Sequence, residues 1–173
     1  MTIGNNTYIH PTAVIFDNVE IGDDCYIGPF CIIGGPPEHA DCDPLKDAGK
    51  GVYIGNGCRL YGHNTVDSGM ELHTMISNRC ILMKGAHVGH DAFIYHDVTL
   101  SCGARIGGHS GIGEYSVIGL NAALHQFTHL VTGTMVGASA FVKGQWEEPF
   151  RILAGVPAKD IGANKVGRAR WEK

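Results

Sequence analysis

The sequence predicts an all-β fold, a parallel β-helix assembled from six-residue repeats. Three observations predict it. From Ile76 every sixth residue is aliphatic, through Leu82, Val88, Ile94, Leu100, Ile106, Ile112, Ile118, Leu124, Leu130, Val136 and Val142. The next residue is often glycine, as in IGDDCY, IGPFCI, IGNGCR and IGEYSV. The residue four places on is usually small: Cys25, Cys31, Cys58, Cys80, Ala86, Ala92, Ala104, Ser110, Ser116, Ala122 and Ala140 among others. A period of six fits neither the 3.6-residue helix nor the two-residue strand alternation. It fits short strands that each turn a corner, three to a coil, with the aliphatic and small rows filling the interior.

The elements follow in chain order. A first set of hexads runs Ile3, Ile9, Ile15, Ile21, Ile27 and Ile33. Residues 35–52, GPPEHADCDPLKDAGKGV, are rich in Pro, Asp and Gly and break the phase, which predicts a protruding loop. Hexads resume at Ile54, Leu60 and Val66, and residues 67–75 interrupt them again. The long run from Ile76 to Val142 completes about seven coils, a prism roughly 34 Å long at about 4.8 Å per coil. The predicted organisation is a coil domain over residues 1–143 and a short basic extension over 144–173. In the extension, RILAG reads as one last strand and the end as a helical cap.

Composition narrows the function. The net charge of −4 argues against a general nucleic-acid footprint. The charge is uneven, because seven Lys/Arg face only four Asp/Glu from Lys143 onward. There is no apolar run of the kind that spans a membrane or opens a signal peptide, so cytoplasmic residence is expected. None of the six cysteines forms a Cys-x-x-Cys pair, and four occupy the small interior row, where a thiol behaves as a small hydrophobe.

The coil period gathers the histidines. Residues 18 apart share a wall, so Gly89-His90-Asp91 lies under Gly107-Gly108-His109, and His125-Gln126-Phe127 lies above. His87 stands at the nearby corner, and His96 falls on the next face. An imidazole accepts a proton near neutral pH, and bare glycine N–H groups can hold a developing oxyanion. His10, His39 and His129 read as solvated surface histidines. Cys102 stacks over Lys84 on another face, away from the histidines.

The motifs GAHVGHD, IGGHSGIGEYSVIGLNAALHQF and MVGAS resemble the acyl-carrier-protein-dependent UDP-N-acetylglucosamine O-acyltransferases of lipid A synthesis, a family of hexapeptide-repeat acyltransferases. The resemblance implies a left-handed β-helix, where general connection rules favour right-handed crossovers. It implies that His90 is the general base, Asp91 its partner and the Gly108 N–H the oxyanion donor. His87, His109, His125 and Gln126 would contact the nucleotide sugar or the acyl-phosphopantetheine arm. Ala138 falls at the family's acyl-length ruler. Lys46 matches a substrate-loop lysine, with Pro44 where the family has an Asp. Asn164, Arg168 and Arg170 match the region that contacts the nucleotide or carrier protein.

The resemblance stops before the family's C-terminal helical domain. LAGVPAKDIG is more similar to acetyl-CoA-dependent acetyltransferases, so both donors stay open: an acyl-carrier-protein thioester or acyl- or acetyl-CoA. Expected partners are a nucleotide sugar, acyl carrier protein and two further copies in a homotrimer. No permanently bound cofactor and no metal is expected. The alternatives are an acetyl-CoA-dependent nucleotide-aminosugar N-acetyltransferase, a γ-type carbonic anhydrase and a non-catalytic β-helix scaffold. The histidine gaps of three, six and four residues do not match the five-residue ligand spacing of that carbonic anhydrase.

Overall fold

A computed structural model describes residues 1–172. Twenty-three short strands wind into a triangular prism with three parallel sheets, and a last strand turns back antiparallel. The first sheet holds eight strands, from Thr2–Ile3 to Gln145–Trp146. The second runs from Tyr8–Ile9 to Arg151–Gly155 and ends with the antiparallel Ala158–Ala163. The third holds seven, from Val14–Ile15 to Phe141–Val142.

The 18-residue register holds through the histidine-bearing region. His87 pairs with Arg105 and Arg105 with Ala123. The hexad aliphatics from Ile76 to Ile118 are fully buried in one continuous column. The small row is buried beside it and carries its own bonds. The Cys58 thiol donates to Ser77 O at 2.9 Å, the Cys80 thiol to Tyr95 O at 3.0 Å and the Ser110 hydroxyl to His125 O at 3.2 Å. Only a small side chain fits there, and a thiol or hydroxyl ties one coil to the next.

Most corners turn through a residue in the left-handed region. Asp91, Asp97, His109, Tyr115, Asn121 and Phe127 all have φ between +54° and +60°. His109 stacks on its equivalent one coil away, Phe127, while the Asp91 side chain is buried.

The structure differs from the sequence reading at the C-terminal end. The coils do not stop at residue 143. Gln145–Trp146 pairs with His129–Leu130, and Ile152 and Leu153 pair with Met135 and Val136, so two sides of an eighth coil are present. These two strands lack the strict hexad spacing, because residues 147–150 lie irregularly between them. RILAG is a strand as expected, but it is also half of a hairpin. The helix Lys165–Trp171 follows. The two loops are slightly shorter than expected, since strands Ile32–Gly35, Val52–Ile54, Thr65–Asp67 and Thr74–Ile76 extend into them. Among the described residues no helix is long and apolar enough to cross a membrane.

Candidate active site

His90 sits at the corner between the strands His87–Val88 and Phe93–Ile94, in the turn Gly89–Ala92. It is 6% exposed. Its Nδ1 lies 2.9 Å from Asp91 Oδ2, so adjacency in sequence does not prevent the pair from forming. The left-handed backbone of Asp91 swings its carboxylate back toward the ring.

Asp91 is itself held by the second loop. The N–H of Met70 donates to Oδ2, and those of Glu71 and Leu72 donate to Oδ1, at 2.8–2.9 Å. Burial by itself would raise the carboxyl pKa. The backbone donors and His90 outweigh burial and hold it at about 2. An ionised Asp91 accepts the Nδ1 proton and leaves the Nε2 lone pair free.

That Nε2 faces Gly108. A Cβ built on Gly108 would fall 2.7 Å from it. Gly89 is constrained in the same way, because its Cβ would lie 2.9 Å from Gly108 N. The two glycines therefore let the backbone of the upper coil approach the imidazole. Among the described residues the Gly108 N–H has no hydrogen-bond acceptor.

His109 packs edge-on to His90 at 5.0 Å between ring centroids and lies flat on Phe127 at 4.6 Å. A hollow of about 310 Å³ opens beside Nε2, and Gly107, Gly108, His125 and Gln126 line it from above. His87 lines it from the lower coil, with Nδ1 2.8 Å from Thr65 Oγ1. Burial lowers the His87 pKa, which keeps its ring neutral. All the predicted stacked residues thus share one wall, and His96 lies on the next corner against Asp97 and Tyr115 as expected.

His39 is exposed, as expected, with its ring edge-on to His90 at 5.7 Å between centroids. Two residues of this hollow were missed. Glu38 and Asp67 line it beside His87 and His90. Burial, then the charge of Glu38, raises the Asp67 carboxyl pKa to about 7. Both lie in or beside segments that break the hexads. Their aim depends on loop conformation, so no periodic signal marks them.

Other predicted residues stand apart from His90 within the chain. Lys46 forms an ion pair with Asp43 at 2.6 Å and lines a separate hollow with Lys50 and Met70. Ala138 is exposed at the corner between the second and third sheets, across the third sheet from His90. Asn164 is buried and its amide is engaged at both ends. Its Oδ1 caps the helix at Gly167 N and its Nδ2 donates to Gly133 O, both at 2.9 Å. Within the chain it is a structural anchor. The Arg168 guanidinium lies over the Phe150 ring at 5.2 Å. The side chain of Arg170 lies outside the described residues. Cys102 is exposed on another corner beside Lys84, away from the hollow.

Donor atoms of His90, Asp91 and His109 cluster closely enough to suggest a metal site. The carboxylate does not fit one, because Asp91 already accepts four hydrogen bonds.

Known proteins resemble this chain in sequence and in fold. The family described as "Bacterial transferase hexapeptide (six repeats)" matches residues 1–35. An acyl-[acyl-carrier-protein]–UDP-N-acetylglucosamine O-acyltransferase of Campylobacter concisus (strain 13826) is 31% identical over 176 residues, covering 99% of this chain and 66% of the relative. One from Burkholderia orbicola (strain MC0-3) is 33% identical over 154 residues, covering 87% and 57%. The chain thus spans between about half and two thirds of the length of these relatives. The solved UDP-N-acetylglucosamine acyltransferase from Campylobacter jejuni superposes with a TM-score of 0.89 at 27% identity, covering 97% of this chain and 65% of that one. The acetyltransferase domain of PglB from Neisseria gonorrhoeae FA1090 superposes with a TM-score of 0.60 at 26% identity, covering 90% of this chain and 57% of that one. By sequence and fold, this chain belongs to the hexapeptide-repeat, left-handed β-helix acyltransferases, in the group that contains the UDP-N-acetylglucosamine O-acyltransferases.

Proposed function

We propose that this protein moves an acyl group from an acyl-carrier-protein thioester to a hydroxyl of a UDP-N-acetylglucosamine-like nucleotide sugar. One arrangement carries the reading: beside the hollow, Nε2 of His90 abuts Gly108, whose N–H has no acceptor among the described residues. Nε2 takes the proton of the acceptor hydroxyl as its oxygen attacks the thioester carbon. The Gly108 N–H donates to the oxyanion that forms. Collapse expels the thiolate, which receives the proton back from His90. No covalent enzyme intermediate is needed. His87, His109, His125 and Gln126 supply polar edges for the two substrates, and Lys46, Ala138, Arg168 and Arg170 contribute at the periphery. Asp91 fixes the ring of His90.

The hollow in one protomer is at the small end for enclosing even one drug-sized ligand. A neighbouring prism would complete it, which supports a homotrimer. Localisation in the cytoplasm, where acyl carrier protein and nucleotide sugars reside, belongs to the same proposal. A second reading, acetyl transfer from coenzyme A to a nucleotide aminosugar, is favoured by the C-terminal hairpin and by the likeness to the PglB acetyltransferase domain.

The test offers UDP-sugars with acyl-carrier-protein thioesters and with acetyl-CoA in parallel, and identifies products by mass spectrometry. Transfer from the carrier protein to a sugar hydroxyl is expected. Removing a general base costs about 100- to 10,000-fold, so His90→Ala should lose that much kcat while keeping its melting temperature. Transfer from coenzyme A alone would replace the first reading with the second.

A further inference from the structure

We propose that Glu38, Asp67 and His87 form a binding site for a divalent first-row transition-metal ion of the zinc or manganese kind. Asp67 is 8% exposed, and its Oδ2 has no hydrogen-bond partner among the described residues. A buried carboxylate oxygen without a partner is costly, and a cation offsets that cost. Asp67 Oδ2 lies 3.8 Å from His87 Nε2, and one donor atom from each of the three residues falls within 4.8 Å of the others.

The surroundings support the assignment. Thr65 Oγ1 holds His87 Nδ1 at 2.8 Å, so the hydroxyl can accept the Nδ1 proton and leave the Nε2 lone pair for a ligand. A second partner that orients the ring in this way is the usual support of a metal-bound histidine. The guanidinium paired next to His87 in the sheet, Arg105, donates to Gly85 O and forms no ion pair with Asp67. Glu38 is exposed on the long loop, so its carboxylate is free to close the last ångström. One imidazole nitrogen and two carboxylate oxygens suit zinc, manganese or cobalt better than calcium, which takes six or more oxygens. Asp91 makes the contrast, since its oxygens are filled by backbone N–H groups and His90. The ion would face the same hollow as His90. The assignment stands on these residues whether or not the hollow carries acyl transfer.

The full chain, stripped with EDTA and exchanged into chelator-free buffer, is titrated with Co²⁺ by visible absorption and with Mn²⁺ by electron paramagnetic resonance. One ion per chain and a histidine-perturbed cobalt spectrum are expected. Asp67→Asn should weaken binding at least tenfold. Glu38→Gln, on an exposed loop where folding is not at stake, should weaken it measurably too. His109→Ala should leave binding unchanged. The proposal is overturned if the wild type takes up no ion, if both Asp67→Asn and Glu38→Gln bind as tightly as wild type, or if His109→Ala alone abolishes binding.

Discussion

Gly108 leaves no room for a side chain where His90 meets the coil above. A methyl group there would press on Nε2 and Cε1 at 2.7–2.8 Å. Gly108→Ala should displace the ring and lower kcat by about 100-fold or more, the scale of losing an oxyanion donor or a positioned base. The melting temperature should move little, because a side chain yields before backbone does. A wild-type kcat would show that Nε2 is not the reacting atom. Asp67 gives a pH-dependent prediction. Its pKa rises from about 4 when unfolded to about 7 when folded. Its contribution to stability is therefore complete below pH 4 and lost as pH climbs to 7. In chelator, Asp67→Asn should be more stable than wild type at pH 8, by about 1–2 kcal/mol after solvent screening, with the gain shrinking at pH 5. Thermal melts at both pH values check this. At this scale the sequence showed His90, Gly108, His109 and His125 as one wall, because the 18-residue period alone places them there. Glu38 and Asp67 were invisible to it, since no period governs where a residue in or beside a loop points.

At the scale of elements, the hexad strands were legible because each buries one aliphatic and one small residue in a fixed phase. The second loop was legible only as a break. Its function is to present three consecutive N–H groups to Asp91, which is backbone chemistry and independent of the side chains at Met70, Glu71 and Leu72. Of the eighth coil only RILAG was legible, because Trp146 and Leu153 fall out of phase with Val142. Asn164 was read as a ligand residue, yet its buried amide joins the C-terminal helix to the coil at Gly133. Losing the cap costs about 1 kcal/mol and losing the tie to Gly133 about as much again. Asn164→Ala should therefore speed amide hydrogen exchange across residues 165–171 while leaving the exchange of the core strands unchanged. Equal acceleration throughout the chain would mean that the helix is not an independently opening unit.

At the scale of the whole molecule, period and function can be separated. The core asks only that aliphatics recur every six residues and that coils pair 18 residues apart, as His87 does with Arg105 and Arg105 with Ala123. The site asks for more: that residues from successive coils share one wall. Repeating a single hexad, Gly111–Ser116, keeps every interior row in phase and turns everything after it by one face. His125 and Gln126 then leave the wall of His90 and Gly108. Such a variant should keep its β-helix circular dichroism and a melting temperature within about 10 °C of wild type. It should lose acyl transfer by at least the factor expected for His90→Ala, because its site lacks the upper coil. Repeating the full 18 residues, Gly111–Thr128, restores a His-Gln pair directly above Gly108, and activity should return in part. If the single-hexad variant remains active, the contribution of the upper coil is disproved, and the reaction is confined to His90, Asp91 and Gly108.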